Sequence, residues 1–346
     1  MPAYEDLFVR DDLADTGQIP SKAATASYSP DVLVWGTDTI PDPQKYLSDN
    51  YDKTWYKNVV YGEQNYIYCR AKNLFPGSQT GQLYLRYANS GLFCNVDSWR
   101  NNLIGTAIPD QNYLNLAAQR NQIVCGDSAF LWNPPNPPNG AHYCLIAQIV
   151  TEEHPNPLPD RFNSFEEYVQ WVVDNPAISW RNVQIVDAAS PPQYQENFYI
   201  ENVEQNEVEV LVTTTGFNLP ADTSLSMVCG AVGPEPPIDR STITAGGTRP
   251  AQVAQSSYLP PAFAGWVTAT VHLPPGQSWE PGMSVLVEAY VISRASDSES
   301  FRSLAVPLSS VLLDPSTATA SATTAVRLGR YTVQTKTEES LQTRTG

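Results

Sequence analysis

The stretch Asn65-Tyr66-Ile67-Tyr68-Cys69-Arg70-Ala71-Lys72-Asn73 decides the fold class of this chain. Ile67, Cys69 and Ala71 fall on one face, and the residues between them fall on the other. This period of two predicts a half-buried β-strand. The turn residues Phe75-Pro76-Gly77-Ser78 follow, and 81–88 reads as the hairpin partner.

Strands of the same kind are predicted on both sides of this hairpin. They lie at 122–133, 141–150, 182–186, 197–203, 207–214, 224–231, 266–273 and 284–294. Residues 232–262 are rich in Pro, Gly and Ser and are predicted to form one long connection. We therefore expect an all-β fold with two β-sandwiches of immunoglobulin-like or jelly-roll type.

One short helix is predicted within this all-β pattern, over residues 164–175. Ser164 and Glu167 form a capping box, and an apolar stripe from Phe165 to Val173 follows. Pro176 ends the helix. We expect it to cover one end of the first sandwich.

Composition and strand spacing divide the chain into five parts. An N-terminal arm covers residues 1–28, the first sandwich 29–188 and the second sandwich 194–313. A low-complexity linker covers 314–325, and a C-terminal strand and tail cover 326–346.

Residues 58–186 resemble the bacterial immunoglobulin-like modules related to cell adhesion, of the CARDB-like type. The resemblance depends on Tyr66–Asn73 and Leu83–Tyr87, with Trp132-Asn133-Pro134-Pro135, His142–Ala147 and Trp180–Val183. It implies a bacterial, non-catalytic module that binds a partner or spaces other domains.

Charge and composition narrow the class of partner. Of 346 residues, 42% are hydrophobic, which is enough for a sizeable core, and the formal net charge is −16. An acidic surface repels phosphate backbones, so we expect no nucleic-acid partner. No apolar run approaches the roughly 20 residues of a membrane span.

The cysteines and the N-terminal sequence bear on the cellular compartment. The five cysteines (Cys69, Cys94, Cys125, Cys144 and Cys229) have neither CxxC nor zinc-ligand spacing, and we expect buried, reduced thiols. The first residues lack the pattern of a signal peptide. We expect synthesis in the cytoplasm, with any export independent of such a signal.

No motif in the sequence predicts a catalytic residue, a cofactor or a metal site. Cys125-Gly126-Asp127-Ser128 resembles part of a serine-protease motif, but Ala129-Phe130 replaces the glycines of the oxyanion turn. The loop acids Asp38, Asp42, Asp49 and Asp52 fit either calcium binding or a solvated loop. A hydrolase is a further alternative, because catalytic carboxylates that are distant in the sequence can converge in the folded structure.

Aromatic residues concentrate in one loop-rich segment. These residues are Tyr46, Tyr51, Trp55, Tyr56 and Tyr61. They predict either a surface that binds sugar or protein, or side chains that anchor loops.

The last strand follows a Ser/Thr/Ala-rich stretch that contains almost nothing to form a core. Its candidate interaction residues are Val326, Arg327, Leu328, Arg330, Tyr331 and Val333. A tethered strand must pair with a sheet edge, either its own or that of a neighbour. Basic residues here complement the acidic rest of the chain.

Two functional hypotheses follow from these patterns. The first is a non-enzymatic structural protein, a homo-oligomer that builds a fibre, tube or ring by strand addition. The second is a secreted adhesin-like or toxin-associated module that recognises a glycan or a protein.

Overall fold

The computed structural model describes residues 4–335, except 22–27, 55–56, 90, 92, 94, 135–141, 187–190, 232–240, 245–248 and 315–322. The fold is all-β, as predicted. Its strands are β1 Leu7–Phe8, β2 Val32–Gly36, β3 Asn65–Cys69, β4 Ala71–Asn73, β5 Gln79–Asn89, β6 Tyr113–Ala118, β7 Ile123–Val124, β8 Phe130–Trp132, β9 Tyr143–Val150, β10 Ile178–Arg181, β11 Val183–Val186, β12 Gln193–Glu201, β13 Val208–Phe217, β14 Ser224–Ala231, β15 Ser241–Thr244, β16 Ala251–Leu259, β17 Ala264–His272, β18 Ser284–Ile292, β19 Val306–Pro307 and β20 Thr324–Thr335. Its helices are α1 Pro43–Asp49, α2 Phe165–Val173, α3 Glu299–Ser303 and α4 Leu308–Val311.

The first sandwich packs a four-stranded sheet against two three-stranded sheets. The four-stranded sheet has the order β10-β9-β5-β6, and the smaller sheets have the orders β2-β3-β8 and β1-β4-β7. Ile67, Cys69 and Ala71 lie in the core between these layers, as their alternation predicts.

Part of the opposite face of strands β3 and β4 is also buried, which corrects the prediction of a half-buried strand: Tyr68 and Arg70 are buried, whereas Tyr66 and Lys72 are partly exposed. Tyr68 joins Trp35 and Leu47 in a second small core. The Arg70 side chain is fully buried because it donates to the backbone carbonyls of Pro30, Leu47, Asn50 and Lys53. The α1 region therefore covers a face that sequence alternation assigned to solvent.

Residues 4–10 belong to the first sandwich, so the prediction of an N-terminal arm over 1–28 is wrong for this part. Leu7 and Phe8 pair with Asn73 and Lys72. Leu7, Phe8 and Val9 are buried in the core. Three consecutive apolar residues stabilise the edge of the sheet by removing their surface from water.

The second sandwich packs a sheet of order β11-β20-β18-β13-β16, with β19 beside β20, against a sheet of order β12-β17-β14-β15. The five strands predicted here between 197 and 294 are present. The predicted long connection at 232–262 is wrong, because β15 and β16 lie within it. The many small and polar residues of β15 and β16 give only a weak strand pattern in the sequence. Their pairing with β14 and β13 identifies both as strands.

The two sandwiches share one continuous core. Ile146 and Trp180 of the first lie in the same buried cluster as Phe198 and Val267 of the second. Strand β11, which the sequence assigned to the first sandwich, pairs in parallel with β20 of the second. The domain boundary predicted at residue 188 is therefore too late, because strand β11, which precedes it, belongs to the second sandwich.

Helix α2 is confirmed, including its cap, but its position differs from the prediction. The Ser164 hydroxyl accepts from the Glu167 backbone N–H at 3.1 Å. Its apolar stripe, which includes Phe165 and Tyr168, enters the core shared by the two sandwiches. Within the described residues, three further short α-helices (α1, α3 and α4) and a 3₁₀ helix at Val96–Ser98 were not predicted. In the described part of the chain, no helix has both the length and the apolar character to cross a membrane.

Candidate functional site

The C-terminal strand lies inside the sheet of its own chain. Strand β20 pairs with β18 on one side and with β11 and β19 on the other. Of its predicted interaction residues, Val326, Leu328, Tyr331 and Val333 are buried in the shared core. A β-bulge leaves Leu328 without a direct partner in β18, and it moves the inward face from even-numbered to odd-numbered residues.

The basic residues of this strand find their acidic complement within the same chain. The Nε atoms of Arg327 and Arg330 lie 3.0 and 3.4 Å from Oε1 of Glu288 on β18. Residues 336–346 of the predicted tail and 315–322 of the predicted linker lie outside the described residues. The part of the tail that is described thus completes the second sandwich of its own chain.

The described members of the predicted aromatic cluster contact different partners. The Tyr46 ring packs edge-on against Trp35, and the Tyr51 ring lies 3.4 Å below the Arg10 guanidinium. Tyr61 instead contacts His142 and Tyr143, with ring centroids 6.4 Å apart in each pair. Trp55 and Tyr56 lie outside the described residues. Of the described members, Tyr46 lies on helix α1, whereas Tyr51 and Tyr61 lie in loops.

Three of the four loop acids have structural partners. Asp42 caps helix α1, Asp49 pairs with Lys45, and Asp38 pairs with Lys57. Across the described ranges, no three His, Cys, Asp or Glu side chains converge as ligands for a metal ion.

The protease-like segment is a structural turn. Asp127 accepts hydrogen bonds from the backbone and side-chain nitrogens of Asn115. Burial raises the pKa of the Cys125 thiol to about 12, so this thiol is not a thiolate at neutral pH. Cys69, Cys144 and Cys229 are likewise free and buried, whereas Cys94 lies outside the described residues.

A groove of about 720 Å³ lies on the first sandwich, and no sequence motif marked it. Its walls are helix α2, the 153–161 loop and the N-terminal segment around Tyr4 and Ile19. Buried Tyr4 and Phe162 and half-buried Trp171 supply apolar surface. This volume is within the range of about 300–1,000 Å³ that is usual for ligand pockets.

A buried carboxylate fixes one wall of this groove. Asp6 is fully buried and accepts from the Leu7 N–H at 2.6 Å and the Thr151 hydroxyl at 2.5 Å. Its Oδ2 also lies 2.7 Å from Nδ1 of His154. The His154 ring stacks at a tilt on Tyr4, with centroids 5.1 Å apart. Asp6 thus joins the N-terminal strand to the loop that forms the groove.

Aromatic contacts support the other wall. The Trp171 ring centroid lies 5.4 Å from that of Phe162 and 5.8 Å from that of Trp180. Such tilted and edge-on pairs contribute about 0.5–1.5 kcal/mol each beyond their buried area. Trp171 is therefore held in place by the shared core beneath it, which preorganises the groove.

Acidic side chains dominate the charged rim. Glu153, Glu167 and Asp174 are exposed carboxylates, and Arg161 is an exposed guanidinium. Each carboxylate uses one oxygen within the fold. Glu153 accepts from Gln79 at 2.8 Å, Glu167 from the Asn163 N–H at 2.7 Å and Asp174 from Gln170 at 2.7 Å.

A second polar cluster lies where the sandwiches meet. Glu196 is fully buried; it contacts Nδ1 of His142 and accepts from the Tyr194 hydroxyl at 2.9 Å. Burial and the nearby Glu196 raise the pKa values of Tyr194 and Tyr331 well above the ordinary value for tyrosine. These phenols stay protonated and donate hydrogen bonds inside the core.

Comparison with known proteins does not assign the chain to a family. No family model and no curated protein matches it. The CARDB-like resemblance of residues 58–186 is therefore not confirmed beyond its β-sandwich class.

Solved structures give only distant similarities. A red sea bream transglutaminase is 8% identical with a TM-score of 0.18; the alignment covers 85% of this chain but only 33% of the transglutaminase. The CupB6 tip adhesin of Pseudomonas aeruginosa is 8% identical with a TM-score of 0.20, covering 80% of this chain and 91% of the adhesin. The CFA/I adhesin CfaE of enterotoxigenic E. coli is 6% identical with a TM-score of 0.18, covering 96% and 93%. TM-scores this low carry no functional argument.

Sequence reasoning missed the groove, although helix α2 contained a signal for it. Glu167, Gln170, Trp171 and Asp174 have the spacing i, i+3, i+4, i+7 and therefore share one helix face. This face lies opposite the apolar stripe and places a tryptophan among polar residues. Such a residue is a candidate for ligand contact.

Proposed function

We propose that this chain is a non-catalytic recognition protein that binds a segment of another macromolecule in the groove beside helix α2. The groove carries this proposal because it combines a preorganised aromatic surface with polar groups that have unused hydrogen-bonding capacity. Specific ligand sites combine apolar lining with a few fixed polar groups in this way.

The contacts of His154 fix the loop that forms one wall of the groove. Asp6 accepts from Leu7 and Thr151 as well as contacting His154, so it ties three segments together. In the described residues, the contacts of the His154 side chain are with Asp6 and Tyr4, which positions the loop.

Self-assembly by strand addition is the competing function, and the pairing of β20 weighs against it. The strand has β18 on one side and β11 on the other, and both belong to its own chain. Donation to a second copy would require these twelve residues to leave the core and be replaced by the same strand of a neighbour. In contrast, the groove is open and needs no rearrangement.

Array binding tests the proposed function. The full chain, Trp171→Ala and Trp266→Ala are applied to a glycan array and a peptide array. Trp266 is the matched control because it is a half-buried tryptophan in the second sandwich, on β17. We expect ligands that the wild type and Trp266→Ala bind and that Trp171→Ala, with an unchanged circular-dichroism spectrum, does not. Equal binding by all three proteins would refute a role for the groove.

A further inference from the structure

We infer that the ligand of the groove is a cationic peptide segment, which presents lysine or arginine side chains to the rim. This inference rests on the proposed function and names the chemistry that the groove selects. Three observations carry it: the acceptors that the rim leaves unused, the balance of its charges and the apolar surface between them.

The unused hydrogen-bonding capacity of the rim is mostly acceptor capacity. One oxygen of Glu153, Glu167 and Asp174 bonds within the fold, and in the described structure the second oxygen of each has no partner. Ionised carboxylates only accept hydrogen bonds. A ligand that satisfies all three must therefore bring donors, and charged donors form the stronger bonds.

Two amide groups of the same wall, those of Asn156 and Asn175, are already occupied, and in the described structure the Gln170 side-chain oxygen is a further acceptor without a partner. Asn156 donates to the carbonyls of Ile149 and Ala177, and its side-chain oxygen accepts from Asn175 at 2.7 Å. Glycan recognition would draw on such amides, which both donate and accept. Their use inside the fold leaves carboxylates as the main polar groups for a ligand and favours a cation over a neutral sugar.

Charge favours the same ligand. In the part of the chain described, none of the three carboxylates forms an ion pair, and Arg161 is the one guanidinium that lines the groove. The net charge of the chain is −16, so its long-range field also attracts cations. In the same groove, half-buried Trp171 offers a surface on which the aliphatic stem or guanidinium of the ligand can lie.

Fluorescence anisotropy with labelled hexa-arginine, hexa-lysine and hexa-glutamine tests this inference on the full chain at 150 mM salt. Screening at this ionic strength, where the Debye length is about 8 Å, suppresses attraction from distant charges. We expect both cationic peptides to bind and hexa-glutamine to bind at least about tenfold more weakly, a difference of about 1.4 kcal/mol.

A pair of triple variants separates the groove from the overall charge. The first variant, Glu153→Gln/Glu167→Gln/Asp174→Asn, neutralises the rim. The second, Asp110→Asn/Glu207→Gln/Asp222→Asn, removes three exposed charges elsewhere and has the same net charge. We expect the first to weaken hexa-arginine binding at least about tenfold and the second to change it less than about twofold.

The outcomes distinguish this inference from the proposed function. Equal weakening by the two triple variants would show attraction to net charge alone and would overturn the inference. Binding of a glycan or neutral peptide that Trp171→Ala abolishes would also overturn it, while leaving the groove as the binding site. Binding of hexa-arginine that Trp171→Ala leaves unchanged would overturn both.

Discussion

At the scale of single residues, Arg70 shows how a charge can determine the packing of a β-sheet face. Its guanidinium donates to four backbone carbonyls, and its Nε lies 2.8 Å from Oδ1 of Asp31. Asp31 also receives the Arg10 guanidinium, so one buried carboxylate holds two cations. Alternation alone could not predict this face because its cover comes from residues 17–40 positions away in sequence.

Replacing Arg70 tests the energetic weight of this network. We expect Arg70→Met to lower the free energy of unfolding by about 3–5 kcal/mol, because buried carbonyls lose their donors. Lys72→Met is the control: it lies two positions along the same chain segment, is partly exposed and should cost less than about 1 kcal/mol. Urea unfolding measures both variants. Similar losses would show that the network adds no specific stability.

Asp11 predicts a pH dependence of stability. Burial and the nearby Asp15 raise the pKa of Asp11 well above the ordinary value of 3.8. The folded state thus binds a proton that the unfolded state has released, so this group's contribution to stability falls as pH rises above about 4. We expect Asp11→Asn to abolish that fall, so its melting temperature relative to wild type increases between pH 4 and pH 8. A constant difference across this range would contradict the assignment.

At the scale of elements, most strands and helix α2 were predictable from the sequence, whereas the pairing partners of the strands were not. The change from even to odd inward positions in β20 is visible in the sequence, but only pairing shows that a bulge at Leu328 causes it. The prediction assigned strand β11 to the wrong sandwich. Nothing in its four residues identifies the parallel partner, strand β20, which lies 149 positions later in the sequence. The groove was missed because it forms where three distant segments meet.

A disulfide between β18 and β20 tests whether β20 belongs to its own chain. Ser284 and Gln334 are register partners, and opposite residues in antiparallel strands have Cα atoms close enough for a disulfide. We expect oxidised Ser284→Cys/Gln334→Cys to migrate as a monomer on a non-reducing gel. Each single variant is the control for adventitious dimers. A ladder or dimer specific to the double variant would instead establish strand exchange between copies.

The N-terminal cap of helix α2 stabilises the helix that forms one wall of the groove. Removing the Ser164 hydroxyl leaves the Glu167 N–H without its acceptor, and Ser164→Ala should cost about 1 kcal/mol. Ser310→Ala is the control, since that exposed hydroxyl donates to the Pro307 carbonyl instead of accepting from a backbone N–H at a helix N-terminus. Thermal unfolding compares the two variants. A loss from Ser310→Ala that matches the Ser164→Ala loss would show that the cap has no special role.

At the scale of the whole molecule, the continuous core lies beneath the groove and supports it. Helix α2 is held from below by residues of both sandwiches, and its outer face carries the aromatic and acidic residues of the groove. Because the apolar residues of both sandwiches are buried together in one core, a fixed arrangement of the two sandwiches is favoured over their independent movement. The second sandwich thereby supports the helix that forms one wall of the groove on the first.

The most direct test of recognition by the groove is hydrogen–deuterium exchange of the full chain with and without saturating hexa-arginine. We expect slower exchange in residues 153–161 and 165–174, which form the groove, with the acidic segment 38–52 unchanged. Protection that is confined to 38–52, or spread evenly over the acidic surface, would contradict recognition by the groove.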